Sequence, residues 1–426
     1  MSQTEPRRWR AAWTPRRIRL WLAVALAAAW LPIVGVPLRD FLDFSAFYVA
    51  AQHAFTPDVM RLEPIILAQQ AAGLPISPFH YPPGYALLFV PLTWLPFALA
   101  GVVNLAIMIG ALLLAAISLA RLYGLPARLA IIGALAWSPA AESVLSGQNA
   151  SLALLLIAVV GLLMRADAAR TGGTQAAGSG STKVTRSLRA NIAAGLMVAA
   201  LAYKPQFAAP VAGLALLRGR WAMLVAVVLD LVGQYLVGVV VAGGNWAWPS
   251  DWLTGLSGYS DVDLATNGWQ AISLPALLAR VPLSVLGSTA PAAMQGLSVI
   301  GYGLGTLVIV LCIPAMRRLP LPRALALAAS LGLLITPHAW VYNATLLLPA
   351  LAVLWADGAR RGWPWQDRWL FALIYAAGAL WPLGGIVGFT LLPIVVIAMP
   401  WLLLGERPWG QASVSTYPPA SVAGAP

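Results

Sequence analysis

The stretch Arg39-Asp-Phe-Leu-Asp-Phe-Ser-Ala-Phe-Tyr-Val-Ala-Ala51 follows directly on the first long apolar segment, residues 18–38. It places two carboxylates, Asp40 and Asp43, at the end of a segment long enough to cross a membrane. Only 9% of the 426 residues are charged, so two acids at a membrane edge are expected to have a chemical task. The side of the membrane on which that edge lies narrows the chemistry available to them.

The composition predicts an all-α polytopic membrane protein. Hydrophobic residues make up 60% of the chain, and its mean hydropathy is +0.80, which excludes an ordinary soluble domain. The net charge is +12, but the basic residues lie mainly in short connections between apolar segments. That pattern sets membrane orientation and does not indicate a nucleic-acid partner. The single Cys312 cannot form an internal disulfide.

The distribution of arginines predicts the topology. About twelve crossings, with both termini in the cytoplasm, account for the alternation of apolar and arginine-containing segments. The predicted parts are a basic N-terminus (1–17), a transmembrane domain (18–404) with outer loops at about 39–80 and 243–291 and a flexible cytoplasmic linker at about 165–189, and a disordered cytoplasmic tail (405–426).

The sequence makes two further predictions, for the first outer loop and for the apolar stretch that follows it. The first outer loop is predicted to be amphipathic, with five aromatic side chains available to lie on the membrane surface: Phe41, Phe44, Phe47, Tyr48 and Phe55. The following apolar stretch, 83–120, is too long for one straight helix. Pro91 and Pro96 are predicted to divide it into an interfacial and a spanning part.

Reactive side chains collect on the outer face in this topology, whereas the inner connections carry mainly arginine. This asymmetry indicates an outward-facing site. The residues predicted at or beyond the outer ends are Asp40, Asp43, His53, His80, Glu142, Gln148, Asn149, Lys204 and His338.

Four inward-running helices are predicted to begin at that face. The segments that precede or open them are Tyr81-Pro82-Pro83, Gln148-Asn149, Lys204-Pro205-Gln206 and Pro337-His338. Converging helix N-termini would form a cradle for an anion such as phosphate, and Lys204 would add a full positive charge. Two simpler readings stay open: Lys204 could extend to the outer headgroups, and Gln148 and Asn149 could only cap their helix.

Several of these segments together resemble glycosyltransferase family 87. The similar stretches, in chain order, are Asp43-Phe-Ser-Ala-Phe-Tyr-Val-Ala-Ala51, His80-Tyr-Pro-Pro83, Ser146-Gly-Gln-Asn149, Tyr203-Lys-Pro-Gln206, and Pro337-His-Ala-Trp-Val-Tyr342 with Leu-Leu-Leu-Pro349 after it. Each piece alone is weak, and their common order gives the resemblance its specificity.

The resemblance implies a GT-C fold and a polyprenol-phosphate-mannose-dependent α-mannosyltransferase, similar to the enzyme that extends phosphatidylinositol mannosides. It implies a polyprenyl-phosphate-sugar donor, a glycolipid or lipoglycan acceptor, and transfer at the outer face of a bacterial cytoplasmic membrane. No cofactor is implied, because the lipid-linked donor is a substrate, and no ligand cluster calls for a metal.

By the same resemblance, Asp43 is the general base and the reaction inverts the anomeric centre. Asp40 is the second candidate, and it could instead pair with Arg39. His338 would contact the donor phosphate or place the acceptor. The residues expected to bind donor or substrate are Lys204, Gln206, Gln148, Asn149, Tyr81 and Tyr342, with His80 and Trp269 as secondary candidates.

A different class of protein stays open on the residues alone. Asp230 lies near the middle of an apolar segment, so the chain could be a lipid or sugar transporter or flippase with Asp230 and Lys204 as coupling groups. The lack of a convincing internal repeat speaks against this reading. A non-catalytic scaffold in envelope glycan assembly is a third hypothesis. Asp261-Val-Asp263 resembles a metal motif of soluble transferases, but such a short motif is common by chance.

Overall fold

The computed structural model describes residues 41–171, 180–280, 291–336, 339–384 and 390–405, together with Leu26 and Trp30. These residues form helices joined by short connections, and within them the only β-pairing is an isolated bridge between Ala271 and Trp340. Asp40, His338, the predicted N-terminal segment 1–17 and the tail from 406 onward lie outside the described residues.

Sixteen α-helices are named in chain order among the described residues. They are α1 (Leu42–Gln52), α2 (Leu62–Ala71), α3 (Phe97–Tyr123), α4 (Ala127–Leu135), α5 (Ser138–Leu145), α6 (Ala150–Thr171), α7 (Gly180–Ala200), α8 (Pro205–Leu217), α9 (Trp221–Val241), α10 (Trp248–Asn267), α11 (Leu274–Ala279), α12 (Pro291–Arg318), α13 (Leu321–Ile335), α14 (Leu348–Arg360), α15 (Trp365–Ala379) and α16 (Leu392–Leu404). Short 3₁₀ segments occupy Pro57–Met60, Pro83–Trp94, Leu201–Tyr203, Gly268–Gln270, Val341–Leu347 and Trp381–Leu383.

The helices identify a membrane protein. Four are long and apolar enough to cross a bilayer: Phe97–Tyr123, Trp221–Val241, Ala293–Arg318 and Val341–Arg360. The pair Ser138–Leu145 and Ala150–Ala166, bent by 119°, makes a fifth if it forms one broken span. Several apolar helices of 10–17 residues are shorter than a straight crossing needs. The count of twelve crossings therefore stays a prediction.

Proline positions explain where several helices begin. A proline lacks a backbone N–H, so it fits the first turn of a helix, where that group has no intrahelical partner. Pro139, Pro205 and Pro349 occupy such positions in α5, α8 and α14. The 83–120 stretch is divided at Pro96, because a 3₁₀ segment ends at Trp94 and α3 starts directly after Pro96, whereas Pro91 lies inside the 3₁₀ segment. The interfacial position of the first part stays a prediction.

Three of the five aromatic side chains of the first outer loop do not lie on the membrane surface as predicted. Phe44, Phe47 and Tyr48 are buried, and only Phe55 among the five is strongly exposed. The ring of Phe47 stacks on Phe89, with centroids 4.7 Å apart, so α1 packs against the 3₁₀ segment Pro83–Trp94. Burial of several aromatic rings holds α1 against the helical bundle and makes the loop part of the core.

The predicted linker 165–189 is partly helical. Helix α6 continues to Thr171 and α7 begins at Gly180. The remaining residues, 172–179, lie outside the described part of the chain.

An ion network joins helix ends that are predicted from the sequence to lie at the cytoplasmic face. The Asp357 carboxylate, near the end of α14, is buried and pairs with Arg323 of α13 and with Arg360. Arg361 pairs with Asp367 at the start of α15. A buried carboxylate needs such partners, because isolated charge in an apolar interior is strongly unfavourable.

Asp357→Asn is expected to destabilise the protein by about 1.5–3 kcal/mol, the range for hydrogen bonds to charged groups. The loss falls mainly on the Arg323 pair, because Arg360 is largely exposed and exposed ion pairs contribute little. Thermal unfolding in detergent should show a clearly lower midpoint for Asp357→Asn and a small change for Arg360→Ala. Equal midpoints for Asp357→Asn and the wild type would contradict this role.

Candidate functional site

Asp43 lies in the first turn of α1, where a negative charge interacts favourably with the helix dipole. Its backbone N–H donates to the Ser146 carbonyl at 3.0 Å, which joins α1 to the turn between α5 and α6. The next residue, Gly147, has a φ of +82° and lies directly against Phe44. The bent α5–α6 pair therefore fixes the position of the helix that carries Asp43.

Lys204 lies at the junction between the 3₁₀ segment Leu201–Tyr203 and α8, and it is buried. Its Nζ lies 5.6 Å from the ring centroid of Tyr81, 5.7 Å from that of Phe207 and 5.4 Å from that of Tyr342. The same Nζ is 3.5 Å from Gln148 Oε1, to which it donates. Ring faces and an amide oxygen stabilise a cation, so this surrounding partly replaces the lost water.

The charges of Lys204 and Asp43 interact. Burial lowers the pKa of Lys204 to about 7, and the nearby Asp43 carboxylate opposes this by favouring the ammonium form. Lys204 therefore changes its protonation state close to neutral pH. A ligand with negative charge would favour the charged form and would be bound by it.

Tyr81 connects Lys204 to the α5–α6 turn. Its hydroxyl donates to Gln148 Oε1 at 3.3 Å, so the same oxygen accepts from both Tyr81 and Lys204. Burial raises the pKa of Tyr81 well above its ordinary value, and the neighbouring Tyr85 and Asp43 act in the same direction. The hydroxyl therefore stays neutral and can serve as a donor.

Asn149 anchors a stack of tyrosines behind the lysine. Its Nδ2 donates to the Tyr85 hydroxyl at 3.0 Å, and its backbone carbonyl accepts from the Tyr203 hydroxyl at 3.1 Å. The Tyr85 and Tyr203 rings stack with centroids 4.6 Å apart. Asn149 Oδ1 is buried and has no hydrogen-bond partner among the described residues. The described contacts of this side chain are therefore with the tyrosine stack.

The fourth predicted segment reaches the same place through Tyr342, whose ring faces Lys204. His338 lies outside the described residues, but Trp340 pairs with Ala271 of the second outer loop. Trp269 in that loop stacks on Trp381, with centroids 6.0 Å apart. The second outer loop is thus joined to the stretch that leads into Tyr342.

Three other predicted residues, His80, Gln206 and Asp230, remain to be located relative to Lys204. His80 is half-buried next to Tyr81 in the chain, and the Gln206 carbonyl packs near Gly332 of α13. Asp230 lies outside this cluster of contacts: its Oδ2 accepts from Gln234 at 2.7 Å, and Gln234 also donates to the Ala199 carbonyl. Asp230 therefore takes part in the contact between α9 and α7.

Sequence reasoning missed several neighbours of the site. Phe207 and Tyr85 look like ordinary core aromatics, although both follow predicted site residues closely. No motif or spacing in the sequence marks Ser77 or Gln69 as a site residue. In the structure, Ser77 Oγ lies 3.1 Å from Asp43 Oδ1. Within the described residues, no three His, Cys, Asp or Glu side chains are grouped so that they could hold a metal ion.

The candidate site of this helical membrane protein is therefore a buried lysine that is surrounded by three aromatic rings, donates to one amide oxygen and interacts electrostatically with a carboxylate. The family model for glycosyltransferase family 87 matches residues 79–337, more than half of the chain. The protein belongs to this family and is a membrane glycosyltransferase. Comparisons with curated proteins and with solved structures gave no significant match.

The matched range contains Tyr81, Gln148 and Lys204 but begins after Asp43 and ends before Tyr342. The structure connects both flanking segments to it. Asp43 contacts Ser146, and Tyr342 faces Lys204.

Gly147→Ala is expected to disturb the position of Asp43. A Cβ at Gly147 would lie 2.9 Å from Phe44 Cβ and 3.0 Å from the Phe44 backbone nitrogen, and a φ of +82° disfavours alanine. Sugar transfer should fall about tenfold or more, since small misplacements of a reacting group are costly. Gly110→Ala is the matched control, because nothing lies within 4 Å of a Cβ there. Wild-type turnover in Gly147→Ala would contradict the expected displacement.

Proposed function

We propose that this glycosyltransferase moves a hexose, most readily mannose, from a polyprenyl-phosphate-sugar to a glycolipid or envelope glycan. The observation that carries the proposal is the buried Lys204, which is enclosed by aromatic rings and donates to Gln148, with the Asp43 carboxylate near enough to favour its ammonium form. A base and a cation in one site match the two demands of the reaction. The acceptor hydroxyl must lose a proton, and the departing phosphate must be stabilised.

In the proposed reaction the acceptor oxygen attacks the anomeric carbon from the side opposite the phosphate. Asp43 takes the hydroxyl proton while the new carbon–oxygen bond forms. The bond between the anomeric carbon and the phosphate oxygen breaks, and the polyprenyl phosphate leaves with the electron pair. Lys204 stabilises the added negative charge, and a single displacement inverts the anomeric centre.

The donor class follows from the surroundings of Lys204. Its ammonium is enclosed by Tyr81, Phe207 and Tyr342, and Gln148 is its polar partner, so a single phosphate group is a suitable ligand. A lipid carrier also agrees with an outward-facing site, because a nucleotide-sugar cannot easily reach the outer face. The arginines at the end of α12, at the start of α13 and at the end of α14 support an orientation in which these three helix termini lie inside. The GT-C fold is part of the same proposal.

Transfer from a labelled polyprenyl-phosphate-mannose tests the proposal. The purified protein in detergent is incubated with this donor and a membrane lipid extract, and products are identified by mass spectrometry. Mannose should appear on a lipid or glycan acceptor, and the corresponding nucleotide-mannose should give no product. A panel of polyprenyl-phosphate-hexoses determines the sugar. Failure to transfer sugar from every polyprenyl-phosphate donor would refute the proposed function.

A further inference from the structure

A buried polar network lies beside Asp43. Gln69 of α2 is fully buried, and its carboxamide binds both backbone groups of Ser77. Nε2 donates to the Ser77 carbonyl at 2.8 Å, and the Ser77 N–H donates to Oε1 at 3.2 Å. Gln69 Nε2 also donates to Ser45 Oγ at 3.2 Å, and Ser45 Oγ donates to the Pro75 carbonyl at 2.6 Å.

This network fixes the segment between α2 and Tyr81. Because one carboxamide binds the N–H and the carbonyl of Ser77, the backbone of that residue has little freedom to rotate. The Ser77 hydroxyl then donates to Asp43 Oδ1 at 3.1 Å, across 34 residues of sequence. Buried amides are unfavourable unless they are hydrogen-bonded, and here the described bonds of Gln69 all lead to Ser77 or Ser45.

We propose that Ser77 is a positioning residue for the Asp43 carboxylate and that Gln69 is the anchor that holds Ser77 in place. The inference rests on the proposed function, in which Asp43 is the base. A hydrogen bond to Oδ1 sets the rotation of the carboxylate, and with it the direction in which both oxygens accept a proton. It also favours the ionised form, which is the form a base requires.

Other groups act on the same carboxylate. The Asp43 charge interacts with Lys204 and with Tyr81, and the Asp43 backbone is held by Ser146. Lys204 favours the ionised carboxylate when it is protonated. Ser77 differs from Lys204 because its hydroxyl is a neutral donor, so its contribution to Asp43 does not change across the working pH range.

The first test compares kcat and KM among serine variants of the full-length protein. Ser77→Ala should lower kcat about tenfold, the effect of losing roughly one hydrogen bond to a charged group, and leave the donor KM unchanged. Ser77→Thr keeps the hydroxyl and should recover most of the rate. Ser330→Ala is the matched control, since its buried hydroxyl donates to the Ala326 carbonyl within α13 and has no other hydrogen bond among the described residues, and it should retain wild-type kcat.

The second test measures the protonation of the Asp43 carboxylate in the absence of sugar transfer. A carbodiimide reacts with protonated carboxyl groups, so labelling of Asp43, followed by mass spectrometry as a function of pH, reports its protonation. The midpoint should rise by about one pH unit in Ser77→Ala and in Gln69→Leu, because the ionised form loses a donor. Asp43→Asn provides the unlabelled reference.

The outcomes separate this inference from the proposed function. An unshifted labelling midpoint in Ser77→Ala overturns the inference, whether activity is retained or is lost together with thermal stability. A shifted midpoint with unchanged kcat also overturns a positioning role in catalysis. If the midpoint is shifted in Ser77→Ala but the wild-type protein transfers no sugar, the proposed function is refuted and the control of Asp43 by Ser77 is still supported.

Discussion

Asp43→Asn is expected to lower kcat for sugar transfer by about 10²–10⁴-fold, the contribution typical of a general base. Asparagine has nearly the same shape and can still accept from Ser77, but it cannot take the proton of the acceptor hydroxyl. The donor KM should also rise at neutral pH, because the Asp43 carboxylate favours the ammonium form of Lys204 and its loss lowers the pKa of Lys204 further. Single-turnover transfer from polyprenyl-phosphate-mannose measures this loss directly.

Asp58→Asn is the matched control for that substitution. Asp58 lies in the same predicted outer loop, its side chain is 42% exposed, and it pairs only with Arg61 among the described contacts, so its loss should leave turnover unchanged. Activity in Asp43→Asn at half the wild-type level or more would remove Asp43 as the base. Asp40→Asn should retain activity if Asp43 alone has this role.

Lys204→Met is expected to lower kcat/KM for the donor by about 10²–10³-fold, as found when one donor to a developing anion is removed. Methionine fills similar space among Tyr81, Phe207 and Tyr342 but brings no charge to the phosphate. Lys204→Arg keeps the charge and should retain more activity than Lys204→Met. Equal donor kcat/KM in Lys204→Met and the wild type would exclude phosphate contact by this residue.

The pH profile provides a second measurement on Lys204. Burial lowers its pKa to about 7, so in the free enzyme the ammonium is present below about pH 7 and is lost above it. Wild-type kcat/KM for the donor should therefore fall about tenfold per pH unit above this value, because kcat/KM reports the free enzyme. Lys204→Arg should lack this decline, since arginine stays protonated. A wild-type profile that is flat from pH 6 to 9 would contradict the assignment.

Local signals in the sequence predicted the class of protein and the helix starts. Prolines mark the beginnings of α8 and of the 3₁₀ segment at Pro83, because proline chemistry acts within a few residues. Gln148 and Asn149 precede α6, but Asn149 Oδ1 has no hydrogen-bond partner among the described residues and so does not cap the helix. The apolar content and the arginines indicated a membrane protein. The ordered motifs indicated the family, which the match over residues 79–337 confirms.

The aromatic residues of α1 show why such signals are insufficient. Phe44, Phe47 and Tyr48 have the composition of a surface-binding segment, and their burial depends on Phe89 and other distant residues. Hydropathy gives the preference for an apolar surrounding but does not distinguish lipid from the protein core. In a membrane protein both surroundings satisfy that preference equally.

The sequence by itself determined that this chain is a helical membrane glycosyltransferase and that Gln148 and Lys204 precede helices. Only the tertiary structure decided that Gln148 Oε1 accepts from Tyr81 and from Lys204, 67 and 56 residues away. It also decided that Ser77 bonds to Asp43. The physical reason is range: hydropathy, charge and helix starts are local properties, whereas contacts between distant residues depend on how the helices pack.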